Sequence, residues 1–520
     1  MDFLSLVLQL IIDTSASWIR MFIALGLSVL ISVVVGIYAA ISPRAEKVIL
    51  PIVDVLQTIP ILAFFPFALY VFVVLLPGYI GINAAVIFLI ITSMVWNIIF
   101  GVYESIKTVP REFLEVSDLY HFNRIDRLRK IYIPAALPRI IEQSILSWSI
   151  GLFYLVTSEI FSVGVSQDKV TYGIGVAFAG LAYQGAVPYL TGIVVFVCFV
   201  IATRFLFFMP LERYSTRYMK QQSKALTVTQ GYEKTVFNWV SRKIPRAPSI
   251  LVSNRIVRGR KQVSHIASAP ARPNLKVLYY ALLAVIIAIS VYVLASNPVL
   301  LGYEAQTLPA LAFTFARIWL AFLVMAAIAV PVCVYLIFAS KRGSEYMLLF
   351  QIIASVPATI LLPAIAVTLR NGELVAFVVF LLSGVWYVIF SIMASTRTLP
   401  ASVSEVQRIF GVRGRNAWSN IYIKAILPGF ITGALTGIAA EWNASIVAEY
   451  FTTSGITGTT NIVSSVGIGI GKLLDLALSP GGQGLGLMII ALLNLVVMIV
   501  LINTFVWKRL YRQVSKVYGG

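Results

Sequence analysis

"IYIPAALP" occupies residues 131–138 and "IYIKAILP" occupies residues 421–428. The two octapeptides agree at six of eight positions and lie 290 residues apart. Each sits in a basic, polar stretch of a chain that is otherwise apolar. Working outward, the first belongs to "ESIKTVPREFLEVSDLYHFNRIDRLRKIYIPAALPRI" (104–140) and the second to "ASTRTLPASVSEVQRIFGVRGRNAWSNIYIKAILPGF" (394–430). In each, a proline (Pro110, Pro400) stops a preceding apolar helix. A short helix is expected to follow, with apolar positions Phe113, Val116 and Tyr120 in one copy and Val403, Val406 and Phe410 in the other. The i, i+3, i+7 spacing gives one sticky face on a helix of about three turns. A break, a second polar turn and a proline-punctuated return to apolar sequence complete each loop. One such loop reads as an interfacial anchor. Two at matched positions favour a pair of knobs docking on a symmetric partner.

Only 12% of the 520 residues are charged and 59% are hydrophobic, against about 25% charged in soluble domains. Continuous apolar runs of 18 residues or more are long enough to cross a ~30 Å hydrocarbon core as helices. They are unlike the alternating ~10-residue segments of a membrane β-barrel. The fold class is therefore all-α and polytopic. The expected spans are 17–41, 50–76, 82–103, 138–158, 187–210, 276–296, 311–339, 347–369, 374–396, 427–450 and 486–507, eleven in all. Residues 3–12 are too few to span, and they either lie at the interface or extend the next helix. With the N-terminus outside and the C-terminus cytoplasmic, the internal segments hold 32 of the 40 Lys and Arg residues. The external loops hold only Lys169, Arg370 and Lys472. This asymmetry obeys the positive-inside rule, so the net charge of +19 records topology and lipid attraction and calls for no nucleic-acid partner. Cys198 and Cys333 both lie inside apolar runs and read as small core residues. His121 and His265 stand alone, and neither a metal site nor a catalytic constellation is expected.

Duplication organises the whole chain. At an offset of 297, Arg20 meets Arg317, "TIP" (58–60) meets "SVP" (355–357), and Pro66 meets Pro363. At an offset of 290, "WNIIF" (96–100) meets "WYVIF" (386–390), Glu115 meets Glu405, and Glu159 meets Glu449. Both loops are cytoplasmic in this topology, so the repeat is parallel. The expected organisation is a first repeat over 1–210 with its loop at 104–137, a basic linker over 211–275, and a second repeat over 276–520 with its loop at 397–426. Span 276–296 restores the orientation of the second repeat. The linker carries 13 Lys and Arg residues and reads as a solvated cytoplasmic connector.

The loops resemble the E-A-A-x3-G-x9-I-x-L-P motif of ABC importer permeases of the MetI-like type. The second gives "EVQRIFG" (405–411), nine residues, then "IYI"; the first gives "EVSDLYH" (115–121), nine residues, then "IYIP". Gly411 matches the motif glycine where the first copy has His121, and Lys424 stands where the second copy lacks the proline. Glycine tolerates φ > 0 where histidine is strained. "WNASIVAEYF" (442–451), "TSEIFSVG" (157–164) and the Ser17/Arg20 and Thr314/Arg317 pairs are similar to the nitrate/sulfonate/bicarbonate branch. Permeases of that branch usually carry one unit per chain and dimerise; this chain resembles two units fused.

The resemblance implies a transport subunit, not an enzyme. Each loop would dock on one of two copies of an ABC ATPase through its apolar face and through Glu115 or Glu405. ATP and Mg would be bound by those partner chains, and an extracytoplasmic binding protein would deliver substrate. The setting implied is a prokaryotic plasma (inner) membrane. "GIGIGKLL" (467–474) is no P-loop, since no Ser or Thr follows Lys472 and Val466 stands where the first glycine belongs. It reads as the start of a helix near the outer surface. Ionisable groups within spans are functional candidates. Arg20 and Arg317, near external helix ends, fit an anion path or a snorkelling, backbone-bonding role. Glu159 and Glu449 fit a gate or a helix-packing bond. Thr58 and Ser355 lie beside prolines expected to break matched helices along the pathway, namely Pro60, Pro66, Pro357 and Pro363. Gly429, Gly433 and Gly437 read as close helix packing. Glu142, Arg204 and Glu441 lack an ionisable repeat partner and receive no role. An ion-coupled secondary transporter with two parallel repeats is the alternative function.

Overall fold

The structure is a computed structural model that describes residues 3–58, 60–65, 78–165, 172–219, 298–339, 356–396, 414–454, 460–478 and 484–507, with a few positions between them. Most of the 211–275 linker, almost all of the expected span 276–296, and Pro66, Ser355, Val403, Glu405, Val406, Phe410 and Gly411 lie outside the described residues. The protein is a helical, polytopic membrane protein. Eight described helices are long and apolar enough to cross a bilayer.

Helix α1 runs over Phe3–Ile41, so residues 3–12 extend the first span and neither lie apart nor cap it. Nothing in 3–16 breaks the helix: the stretch holds no proline or glycine, and Thr14 bonds back to the Leu10 carbonyl at 2.6 Å. At 1.5 Å per residue the helix is about 58 Å long, longer than the hydrocarbon core. Arg20 therefore stands in mid-helix, not near a helix end as the span 17–41 suggests. Helix α2, Pro43–Thr58, ends before an extended Pro60 (φ −61°, ψ 115°), and a 3₁₀ turn follows at Ile61–Phe64. The expected span 50–76 is thus interrupted.

Helix α3, Tyr79–Lys107, leads to α4, Arg111–Leu119, with Pro110 just ahead of it. A turn at Arg124–Arg127 and a π turn at Leu128–Tyr132 run without a break into α5, Ile133–Val165. Pro138 lies inside α5 and does not stop it. Helices α6, Ile174–Leu181, and α7, Ala186–Thr203, follow.

The later part of the chain has α8, Pro298–Val334; α9, Ala358–Leu369; and α10, Gly372–Thr396. After a second π turn at Trp418–Tyr422 come α11, Ile423–Ala448; α12, Ile470–Leu478; and α13, Gly484–Ile502. Within the expected span 347–369, α9 is a 12-residue helix that starts after Pro357 in extended conformation. Proline breaks the helix at Pro60 and Pro357, where the chain leaves helical dihedrals. Pro363 remains inside α9, because helical neighbours can absorb one missing bond.

Between α11 and α12 lies an antiparallel hairpin, β1 (Tyr450–Ser454) on β2 (Thr460–Ser465), with a bulge at Phe451/Thr452. Its β-branched and aromatic residues favour strand, a signal masked by the apolar run that precedes it.

Glycines set the helix spacing. A Cβ on Gly36 would meet Val102 Cβ at 2.8 Å, and one on Gly433 would meet Val388 Cα at 2.7 Å. So α1 sits tightly on α3 and α11 on α10. Gly429 and Gly437 are buried on the same helix as Gly433. Cys333 is buried in α8, whereas Cys198 is exposed on α7; the apolar run around it faces outward, as a lipid-facing helix surface does. The buried core is continuous across both parts of the chain. The contacts across it are reciprocal. The 3₁₀ turn after Pro60 packs on α11, and α9 after Pro357 packs on α5 and α6. Leu62 N–H donates to Asn443 Oδ1 at 3.4 Å, and the Tyr189 hydroxyl donates to the Ile360 carbonyl. Backbone near each break is thus satisfied by a side chain from the other part of the chain, as apolar surroundings demand.

Candidate functional site

Ser17 and Arg20 are one helical turn apart on α1 and share a face. Both reach Glu159 on α5. The Ser17 hydroxyl donates to Glu159 at 2.7 Å, and Arg20 Nη1 pairs with Oε1 at 2.7 Å. Glu159 is fully buried. Its other oxygen accepts the Gly175 N–H at 2.9 Å, and the Ile174 N–H donates to Ser17 Oγ at 2.9 Å. The first turn of α6 therefore points its unpaired amides at a carboxylate, the favourable end of its dipole. Arg20 completes its bonding through Nε to Asn83 Oδ1 at 2.6 Å and Nη2 to the Tyr172 carbonyl at 2.8 Å.

The same construction stands in the later part of the chain. Thr314 Oγ1 donates to Glu449 Oε1 at 2.7 Å, and Arg317 Nη1 pairs with it at 3.1 Å. Ile470 N–H donates to Thr314 at 3.0 Å and Gly471 N–H to Glu449 at 2.9 Å. The "GIGIGKLL" segment thus begins a helix whose first amides hold a carboxylate. Here Glu373 replaces Asn83 and takes Arg317 Nε at 2.5 Å and Nη2 at 2.8 Å. Glycine is required beside both carboxylates. A Cβ on Gly173 would lie 2.7 Å from Glu159 Cδ, and one on Gly469 would lie 2.3 Å from Glu449 Oε2.

The structure therefore joins Arg20 to Glu159 and Arg317 to Glu449. Each guanidinium is engaged by protein acceptors, and each carboxylate accepts several donors. This geometry pins a long helix to the helix after the repeated loop and to the short helix that follows it. Thr58 closes α2, and its side chain is not described. Asn83, Glu373 and the two Gly-Ile-Gly turns were not singled out from the sequence. Their signal was present, since "GIG" occurs at 173–175 and again at 469–471.

The knob at 111–132 is built differently. Phe113, Val116, Leu119 and Tyr120 are all more than half exposed, and Glu115 and His121 are also exposed. Tyr120 sits just past the last residue of α4. The chain then reverses in a Schellman turn: His121 N–H bonds to the Asp118 carbonyl at 3.0 Å and Phe122 N–H to that of Ser117 at 2.9 Å. This motif wants a left-handed residue after the cap, and His121 supplies it with φ 51°. The tight turn is therefore made without glycine. Asn123 then caps the next turn by accepting Asp126 N–H at 2.7 Å, Arg127 pairs with Asp118, and Lys130 lies 4.6 Å above the Phe122 ring. At the base of the knob, Glu46 of α2 accepts from Tyr103 at 2.6 Å and pairs with Lys107 at 2.7 Å, tying α2 to the end of α3.

A histidine in the left-handed region costs about 1–2 kcal/mol, partly offset by the greater entropy glycine loses on folding. His121→Gly is expected to stabilise the turn by about 1 kcal/mol, slowing amide exchange at Phe122 by roughly fivefold. Unchanged or faster exchange would contradict the strain.

Residues 32–211 match the family described as binding-protein-dependent transport system inner membrane component. The match covers 180 of the 520 residues. Related proteins include the nitrate import permease protein NrtB of Leptolyngbya laminosa, 27% identical over 164 residues, which is 32% of this chain and 53% of that protein. The glycine betaine/proline betaine transport system permease protein ProW of Salmonella typhimurium is 29% identical over 196 residues, 36% of this chain and 53% of that protein. The bicarbonate transport system permease protein CmpB of Synechococcus elongatus is 27% identical over 188 residues, 36% of this chain and 62% of that protein. The chain spans about half the length of the curated relatives it matches.

Proposed function

We propose that this chain is the membrane-spanning permease of an ATP-binding cassette importer, with two MetI-like units, 1–210 and 276–520, fused so that one chain does the work of a dimer. The observation that carries the reading is α4. It holds an apolar face out into solvent, on a rigid Schellman turn, within the stretch that matches the permease family. An exposed apolar helix face on a fixed base is a docking surface. Two copies of an ATPase would receive the two loops, with Glu115 and Glu405 adding charge-assisted bonds. ATP and Mg would reside on those partners.

The Lys and Arg distribution places the loops in the cytoplasm, the N-terminus outside and the C-terminus inside a prokaryotic plasma membrane. An extracytoplasmic binding protein would hand over the solute. The nitrate and bicarbonate named for two of the relatives support a small anion as that solute. Arg20 and Arg317 are engaged by acceptors, so this reading gives them the role of holding helices in register. The anion path then runs where the proline-broken segments cross between the two units. ATP-driven closure of the ATPases would draw the loops together and part those segments.

Vesicles containing the chain and its ATPase, supplied with the binding protein, are expected to take up nitrate or bicarbonate only with ATP. Vesicles containing the chain alone are expected to take up neither. Transport by the chain alone, driven by an ion gradient, would instead establish a secondary transporter.

A further inference from the structure

Glu441 lies on α11, eight residues before Glu449, and its side chain is inaccessible to solvent. Neither of its carboxyl oxygens has a hydrogen-bond partner. The groups around it are apolar. A Cβ on Gly384 of α10 would lie 2.8 Å from Glu441 Oε1 and 2.9 Å from Met325 Sδ of α8. One turn earlier, Gly437 approaches the Gly384 carbonyl and Met325 Cε. The carboxyl fills the notch left by the missing Gly384 side chain, sealed among α8, α10 and α11.

The earlier part of the chain shows what shape alone requires there. At the 290 offset, Glu441 corresponds to Gly151 and Gly384 to Met94. A Cβ on Gly151 would meet Met94 Cε at 2.2 Å. The large and small partners have changed helices: Gly151 faces Met94 in one unit, and Gly384 faces Glu441 in the other. Packing accounts for a long side chain at 441. It does not account for an acid, since methionine fills the same gap.

Among the described residues, an ionised carboxylate at this site has no counter-charge. On α8, Arg317 is spent on Glu449 and Glu373, Glu304 is bonded to Asn494, and Cys333 points at the Ile389 carbonyl. On α10, Glu373 is held by Arg317 and Tyr387 can offer no positive charge. On α11, Glu449 is held by Arg317 and Thr314, and Lys424 is exposed. Among the described residues, no group of three or more metal-ligating side chains is assembled around it. An unpaired charge buried in apolar surroundings is resolved by neutralisation. An acid within the spans is by default a functional group.

We propose that Glu441 is a proton-binding site: its carboxyl is held as the neutral acid between α8, α10 and α11, and its proton is released only when these helices part. The consequence is asymmetry. Packing of the later unit is linked to a proton, and packing of the earlier unit, with Gly151 at the matched position, is not.

Infrared spectroscopy of the full chain in lipid at neutral pH tests this directly and needs neither substrate nor ATPase, so its failure is distinct from failure of the transport reading. Wild type minus Glu441→Gln is expected to show one protonated-carboxyl C=O band that shifts in D₂O. The variant Glu441→Gly with Gly384→Met, which copies the earlier unit's pair, keeps the test available if the glutamine variant fails to fold, and it is expected to lack the same band. A difference spectrum with no protonated-carboxyl band, or with loss of an ionised-carboxylate band, would overturn the proposal.

Discussion

Replacing Arg20 by methionine is expected to destabilise the protein by about 3–5 kcal/mol, the range for removing one member of a buried ion pair. The reason is what remains. Glu159 is fully buried and would lose its charged partner, while the Ser17 hydroxyl and the Gly175 amide that remain among its donors are neutral. Pairing Arg20→Met with Glu159→Met removes the orphaned charge. The double variant is therefore expected to be more stable than Arg20→Met alone, though below wild type, because Ser17 and the first amides of α6 lose their acceptor. Arg317→Met is expected to cost less. Arg317 divides its bonds between Glu449 at 3.1 Å and Glu373, which is half exposed, and exposed pairs contribute little. Thermal melts in lipid nanodiscs check the order. A melting temperature of Arg20→Met equal to wild type, or a double variant worse than Arg20→Met, would remove the energetic basis of the site.

Substituting Phe113 by aspartate is expected to weaken ATPase binding by about 2 kcal/mol or more, roughly 30-fold, as for an aromatic anchor in a partner's groove. The melting temperature of the chain alone is expected to stay unchanged, because the ring is 52% exposed and touches little of the fold. Phe410→Asp removes the aromatic group from the apolar face of the later loop, where its own repeat partner is Tyr120. Equal losses would mean that the two loops share the load. A larger loss at Phe410 would mean that the strained His121 turn makes the first loop the weaker one. Unaltered ATPase affinity in both variants, measured by titration, would show that these faces do not dock.

Helical class, membrane location and the position of the knob were legible in the sequence because apolar runs and proline stops are local signals. Count and ends of the spans were less so. Hydropathy scored 50–76 and 347–369 as continuous, but backbone geometry decides there, and the chain leaves the helix at Pro60 and Pro357. Residues 3–12 are too few to span by themselves, but the helix runs on through Asp13, which accepts from Gln9 inside α1. The carboxylate clusters were half legible. Repeat offsets marked Arg20, Arg317, Glu159 and Glu449, yet the partners at 173–175 and 469–471 act through backbone amides, and the repeated Gly-Ile-Gly is their one mark in the sequence. The turn at His121 shows the opposite limit. Residue preference argued against the left-handed geometry, and the two Schellman bonds with the Asp118–Arg127 pair imposed it.

Stoichiometry tests the central claim, that one chain carries two docking loops and replaces a dimer. The chain would be purified with its ATPase from membranes and weighed intact by native mass spectrometry. One copy of this chain with two ATPase copies is the predicted mass. Two chains with two ATPases, a single ATPase per chain, or no ATPase at all would contradict it.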